Sequence, residues 1–292
     1  MFRMKRELES LAEQGHELKL GLIGAGKMGA SLLIQLKKLR GMKAVLVVDH
    51  SSEKAQKALE SSGFNNILVT SDVDEAAKHV RAGGIVVSEN DDLLYKVEDL
   101  DAVVEATGNP MTGAEAALKT IEANKHIIML NVECDSAVGP ILYEKALKQG
   151  VVYTGIKGDE PGAIIELIEF ADNVGLEIVA VGKGKNNKLD IEATNETLRE
   201  EAESKGLSPH MLCSFVDGTN TMTELTSLCN ATGFIPDVPG LHGITTSHET
   251  IVNDLKLKDQ GGILSQKGVV EYAFGMAPGV FALVTSDNEE IR

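Results

Sequence analysis

Three groups of residues in this sequence have the type and spacing for chemistry. The first is a glycine loop, G-A-G-K-M-G, running from Gly24 to Gly29 between an apolar run and a helical pattern. In such a loop Gly24 allows the tight turn, Gly26 lets the backbone approach a pyrophosphate, and Gly29 lets helix and strand pack closely. Lys27 and Met28 open the helix, whose unpaired N–H groups and positive dipole end suit phosphate. Asp49 closes the next apolar run, twenty residues after Gly29. A carboxylate there accepts from adenosine ribose hydroxyls and repels a 2′-phosphate, and no Arg follows in H-S-S. The cofactor expected is therefore NAD, with NADP as the second candidate.

The second group follows later apolar runs. Thr107 and Gly108 come just after residues 101–106, and Asn131 just after 126–130, where open α/β sheets place their ligands. All three are expected on the nicotinamide side of the cofactor; Asn131 also reads as a helix cap. The third group occupies the second half. Glu160 lies in G-D-E-P-G, where it serves either as a helix-start residue or as a substrate ligand. Lys183 and Lys185 lie in G-K-G-K-N-N after the apolar run E-I-V-A-V, placed to protonate a carbonyl oxygen or hold an anion. Asp217 lies in F-V-D-G-T, read as a strand end entering a helix, where it orients a lysine or caps.

Cys134 brings a different chemistry, an acylating thiol as in semialdehyde dehydrogenases. Its neighbours Glu133 and Asp135 count against it, because negative charge raises a thiol pKa. No cysteine or histidine spacing matches a structural zinc site, so no metal is expected.

The elements needed to position these groups are legible as rhythm. Residues 18–23, 43–49, 101–106 and 126–130 read as buried strands, and 29–40 and 111–124 as crossover helices. Residues 64–100 hold two short strands and two helical segments, either an elaboration covering the cofactor side or a plain extra strand–helix pair. The expected fold is α/β: a Rossmann-type doubly wound parallel sheet over 1–157, then a smaller α+β catalytic and oligomerising domain over 158–292. A Gly- and Pro-rich stretch at 233–243 reads as an ordered loop packed over something.

Composition sets the outer limits. The chain has 292 residues, 43% hydrophobic and 25% charged, which is globular. Its net charge of −16 argues against nucleic acid or anionic membrane as partners. Three widely spaced cysteines and no apolar leader point to a cytoplasmic protein. Its expected partners are a small-molecule substrate and further copies of itself, as a homo-oligomer.

With these motifs assembled, the sequence resembles the homoserine dehydrogenase-like proteins, whose longer members carry a SAF domain. That family includes a branch resembling 1-deoxy-xylulose-5-phosphate reductoisomerase. The resemblance rests on G-L-I-G-A-G-K-M-G from Gly21, V-V-E-A-T-G from Val103, G-D-E-P-G-A from Gly158, V-A-V-G-K-G-K-N-N from Val179, F-V-D-G-T from Phe215, and N-A-T-G-F-I-P-D-V-P-G-L-H-G from Asn230. It implies an NAD(P)-dependent oxidoreductase without the SAF domain, moving hydride to or from a small polar hydroxy- or keto-substrate. The alternatives are a reductoisomerase acting on a phosphorylated sugar, a Cys134-dependent semialdehyde dehydrogenase, and a non-catalytic dinucleotide-sensing subunit.

Overall fold

The computed structural model describes residues 2–288 and 290. The chain divides into two compact units, Met1–Ile156 and Lys157–Arg292.

The first unit runs α1 (Phe2–Glu13), β1 (Leu18–Ile23), α2 (Lys27–Leu36), β2 (Met42–Val48), α3 (Ser52–Ser61), β3 (Ile67–Val69), α4 (Val73–Arg81), β4 (Ile85–Ser88), α5 (Asp92–Lys96), β5 (Ala102–Glu105), α6 (Pro110–Glu122), β6 (His126–Met129), α7 (Val132–Gln149) and β7 (Tyr153–Gly155). Its seven strands form one sheet in the order β3-β4-β2-β1-β5-β6-β7, with every pairing parallel. A parallel sheet needs cover on both faces, which is why β2, β4 and β5 read as continuous apolar runs. One face packs Val45, Val103, Ile127 and Met129 against α6 and α7 residues such as Ala116, Ile121 and Leu142. The other packs Leu20, Leu22, Val47 and Val104 against Leu33 and Leu36 of α2 and Leu59 of α3. The α/β, Rossmann-type sheet expected from the sequence is the one found. Residues 64–100 resolve as an added strand–helix pair, since β3 extends the sheet outward and pairs with β4 alone.

Strand order reverses between β1 and β5, which pair in parallel from Leu20 with Ala102 to Ile23 with Glu105 although β2, β3 and β4 lie between them in the sequence. The crevice of such a sheet opens past those two carboxyl ends.

The second unit runs α8 (Glu160–Asn173), β8 (Glu177–Lys185), α9 (Arg199–Ser204), α10 (Pro209–Val216), α11 (Thr219–Thr232), β9 (Ile235–Pro236), β10 (Ile244–Thr245), α12 (Ile251–Asp254), β11 (Val269–Phe274) and β12 (Val280–Thr285). Its smaller mixed sheet has the order β10-β11-β8-β12, with β9 also on β11; only β12 runs antiparallel. Ile164 and Ala171 of α8 and Leu225 and Leu228 of α11 cover one face, and Ile251, Leu255 and Leu264 the other.

One element differs from expectation beside a site residue. Residues before Asp217 form a helix, α10, not a strand. Ser208 caps it by accepting from Met211 N, and Pro209 at its first turn presets φ. The apolar H-M-L-C-S-F-V run is short enough to fit either period, so the Ser-Pro start decides.

Candidate functional site

In the first unit the glycine loop sits between β1 and α2. Gly24 has φ +96°, and a Cβ there would lie 2.7 Å from the Ala106 carbonyl, so the turn at the end of β1 touches the end of β5. Gly29 is equally constrained, since a Cβ would fall 2.0 Å from Gly24 O. Gly26 is different: nothing lies within 4 Å of its would-be Cβ, and it caps α2 without any side-chain hydrogen bond. The loop therefore has an open side beside unsatisfied helix N–H groups, with Lys27 and the exposed Met28 in the first turn. That cradle fits a pyrophosphate.

Asp49 lies at the end of β2, only 5% exposed. Its Oδ2 accepts from Ala25 N at 2.7 Å and its Oδ1 from Ser51 N at 3.1 Å, so it ties the glycine loop to the next turn. His50 Nδ1 stands 2.9 Å away and Lys54 Nζ 3.5 Å away.

At the end of β5, Glu105 is fully buried; its Oε1 accepts from Thr107 N at 2.8 Å and from the Thr107 hydroxyl. This holds the Thr107–Gly108 turn, where Gly108 has φ +68° and open space beside it. Asn131 caps α7 by accepting from Cys134 N at 3.1 Å, and its Nδ2 donates to Asn109 O at 3.0 Å. Thr107, Gly108 and Asn131 are thus brought together at the ends of β5 and β6. Cys134 is fully buried behind them, and its thiol is pushed up to about 12, first by desolvation and then by Glu105 and Asp135. Burial and these two carboxylates both disfavour a thiolate at that position.

In the second unit the G-K-G-K run at the end of β8 has a steric reason. A Cβ at Gly182 would meet Glu271 O at 1.9 Å, and one at Gly184 would meet Ala277 N at 2.3 Å. Close backbone therefore occupies the glycine face, and alternation sends Lys183 and Lys185 to the opposite face, toward α8, α10 and α11. Each lysine is 6% exposed. Lys183 Nζ donates to Glu160 Oε1 at 2.7 Å and to Glu224 Oε2, and Asn220 Nδ2 donates to the other Glu224 oxygen at 2.7 Å. Burial raises the Glu224 carboxyl pKa, while Lys183 opposes that shift. Lys185 Nζ donates to Phe215 O at 2.5 Å and has its pKa lowered, first by burial and then by the Lys183 charge.

Of the residues singled out in the sequence, Lys183 and Glu160 meet directly and Lys185 follows two positions on along β8; Glu224 carries no role in the sequence reading. Its signal is an acid within the buried stripe Thr221, Glu224, Leu225, Leu228 of α11. Asp217 ends α10, and its Oδ1 accepts from Thr219 N at 2.8 Å and Thr219 Oγ1 at 2.7 Å, fixing the start of α11. The loop at 233–243 covers a second buried acid. Glu271, fully buried, accepts from His242 N at 2.9 Å and pairs with His242 Nδ1 at 2.8 Å, while Asp237 lies 3.5 Å from the other ring nitrogen. Among the described residues no group of histidine, cysteine and carboxylate side chains could hold a metal, and no helix is long and apolar enough to cross a membrane.

Residues 18–129 match the model of an oxidoreductase family with an NAD-binding Rossmann fold, GFO/IDH/MocA. Residues 158–292 match a model described as oxidoreductase DRL, catalytic domain. Each half matches an oxidoreductase model of its own. Both models are of oxidoreductases and the first is of an NAD-binding fold, which supports NAD as cofactor and an NAD-dependent dehydrogenase or reductase as enzyme class. They also correct the homoserine dehydrogenase-like resemblance, with its reductoisomerase-like branch. The opening glycine motif that carried it is generic to dinucleotide folds, and its stretches from Gly158, Val179, Phe215 and Asn230 all fall inside the DRL catalytic-domain match.

Among solved structures, the chain is similar to myo-inositol dehydrogenase from Lactobacillus casei in complex with NAD(H) and myo-inositol, at 20% identity and a TM-score of 0.43, covering 62% of this chain and 49% of that one. It is similar to the WlbA dehydrogenase from Bordetella pertussis in complex with NADH and UDP-GlcNAcA, at 16% and 0.42, covering 61% and 49%. Levoglucosan dehydrogenase, in complex with NADH and levoglucosan, stands at 17% and 0.42, covering 61% and 46%. The chain spans about half the length of these structures. No curated protein matches it in sequence.

Proposed function

We propose that this chain catalyses reversible hydride transfer between NAD and a small polar hydroxy- or keto-substrate. NAD supplies the hydride acceptor or donor; Gly24, Gly26, Lys27, Met28 and Gly29 receive its pyrophosphate, Asp49 the adenosine ribose, and Thr107, Gly108 and Asn131 the nicotinamide end. The observation that carries the reading is the Lys183 ammonium, buried and held between the Glu160 and Glu224 carboxylates. Hydride addition to a carbonyl carbon puts negative charge on its oxygen, which needs a proton, and alcohol oxidation releases one. Lys183 has three N–H donors and uses two on the carboxylates, so the third is available to the reacting oxygen. Glu160, with a side chain 41% exposed, exchanges that proton with solvent.

Lys185 holds an anionic or strongly polar part of the substrate. Asp217 is a positioning residue: both its contacts with Thr219 set the start of the helix that carries Glu224. Three unpaired cysteines support a reducing, cytoplasmic setting, and we keep the homo-oligomer as part of the reading.

The test supplies NAD and a metabolite mixture to the full chain and follows NADH together with a product lighter by two hydrogens. Cys134→Ala is expected to leave the rate within a few-fold. If Cys134→Ala abolishes NADH formation while NAD still binds, thiol chemistry replaces the lysine reading.

A further inference from the structure

A cavity of about 630 Å³ opens in the first unit beyond the carboxyl ends of β3 and β4, on the Asp49 side of the crevice. Ser52 from the start of α3, Glu89 and Asn90 after β4, and Val69, Thr70 and Ser71 after β3 line it. The outer wall belongs to the added strand–helix pair, because β3 lies at the sheet edge beyond β4.

Its polar groups are specifically set. Glu89 Oε1 accepts from Ser52 N at 2.9 Å and from Ser52 Oγ at 2.8 Å, which keeps this carboxyl ionised and fixes its orientation. Asn90 Oδ1 accepts from Asp92 N at 3.1 Å, which settles which end of that amide faces away. Among the described residues Glu89 Oε2, Asn90 Nδ2 and Ser71 Oγ have no hydrogen-bond partner. A free acceptor thus stands one residue from a free donor, with the half-exposed Val69 side chain as an apolar neighbour.

Position says what the pair meets. The pyrophosphate cradle is at the start of α2, beside β1, and the ribose acid Asp49 ends β2. The adenine base is joined to the ribose that Asp49 would hold, and β4, with the cavity past its end, is the neighbour of β2 on the side away from β1. Adenine offers an exocyclic amine, a donor, beside a ring nitrogen, an acceptor. A carboxylate next to an amide or hydroxyl donor complements that edge.

We infer that Glu89, oriented by Ser52, reads the 6-amino group of adenine, with Asn90 or Ser71 donating to the adjacent ring nitrogen, so that the added β3 unit makes the cofactor site selective for its base. This rests on NAD binding by the first unit and says nothing of the reaction in the second. Hypoxanthine reverses the pattern, having a carbonyl at position 6 and an N–H beside it.

The experiment is calorimetry on the full chain with NAD and with nicotinamide hypoxanthine dinucleotide. The native protein should bind NAD more tightly by about tenfold or more, the worth of one hydrogen bond to a charged group. Glu89→Gln places an amide donor within reach of a position-6 carbonyl and should narrow or invert the preference, while its thermal melting stays near that of the native protein. Equal binding of both dinucleotides by the native protein overturns the inference. So does a Glu89→Gln variant that shifts the NAD-to-NADP ratio and leaves base preference unchanged, because Glu89 would then face the ribose. Absence of any NAD binding by the native protein would instead strike the cofactor assignment itself.

Discussion

Lys183 and Lys185 leave the same face of β8, two residues apart, yet only Lys183 has carboxylate partners. Lys185 meets a backbone carbonyl and the positive charge of its neighbour. On the proposed reading this asymmetry separates their roles: Lys183, held between Glu160 and Glu224, exchanges the proton with the reacting oxygen, and Lys185, with no direct carboxylate partner, attracts an anion.

A pH dependence follows from that asymmetry. The Lys185 pKa is depressed, by burial first and by Lys183 second, so its positive charge is lost below the ordinary lysine value of 10.5. For an anionic substrate, KM should begin to rise on the alkaline side at a pH below that value. Lys183→Met removes the second cause, so in that variant the rise should move to higher pH. Steady-state KM measured against pH reads both effects. A limb that does not move in Lys183→Met would show that Lys185 is not the titrating group.

The proposed reading makes cofactor choice turn on Asp49. Its carboxylate is flanked by His50 and Lys54, two potential partners for a 2′-phosphate that it at present occupies. NAD should bind more tightly than NADP, and Asp49→Ser should narrow or reverse the difference by freeing Lys54. Because Asp49 also holds Ala25 N at 2.7 Å, the variant should lose some affinity for both. Calorimetry measures all four constants, and tighter NADP binding by the native protein would contradict the assignment.

Much of the first unit is legible in the sequence because its signals are local. The glycine loop, the apolar strands and Asp49 are each recognisable within a few residues, and the parallel sheet follows from their alternation. The third strand–helix pair, residues 67–81, is visible as elements but not in its place, since edge position depends on pairing between β3 and β4. In the second unit the lysines stand out by type, but Glu224 does not. It meets Lys183 across 41 residues, and only the buried stripe of α11 marks it. The α10 run reads as a strand because seven mostly apolar residues fit both periods, and the Ser208-Pro209 start carries the deciding information. Glu271 under the 233–243 loop is hidden in the sequence for the same reason as Glu224, its partner His242 being 29 residues away.

The most direct measurement of the account is the turnover of Lys183→Met with the NAD affinity of the same preparation. Loss of a group that assists proton transfer costs about 10²–10⁴ in rate. The account predicts a fall of that size in kcat with calorimetric NAD binding unchanged, the pattern of an interaction made in the transition state. A Lys183→Met variant that turns over at the native rate would contradict it.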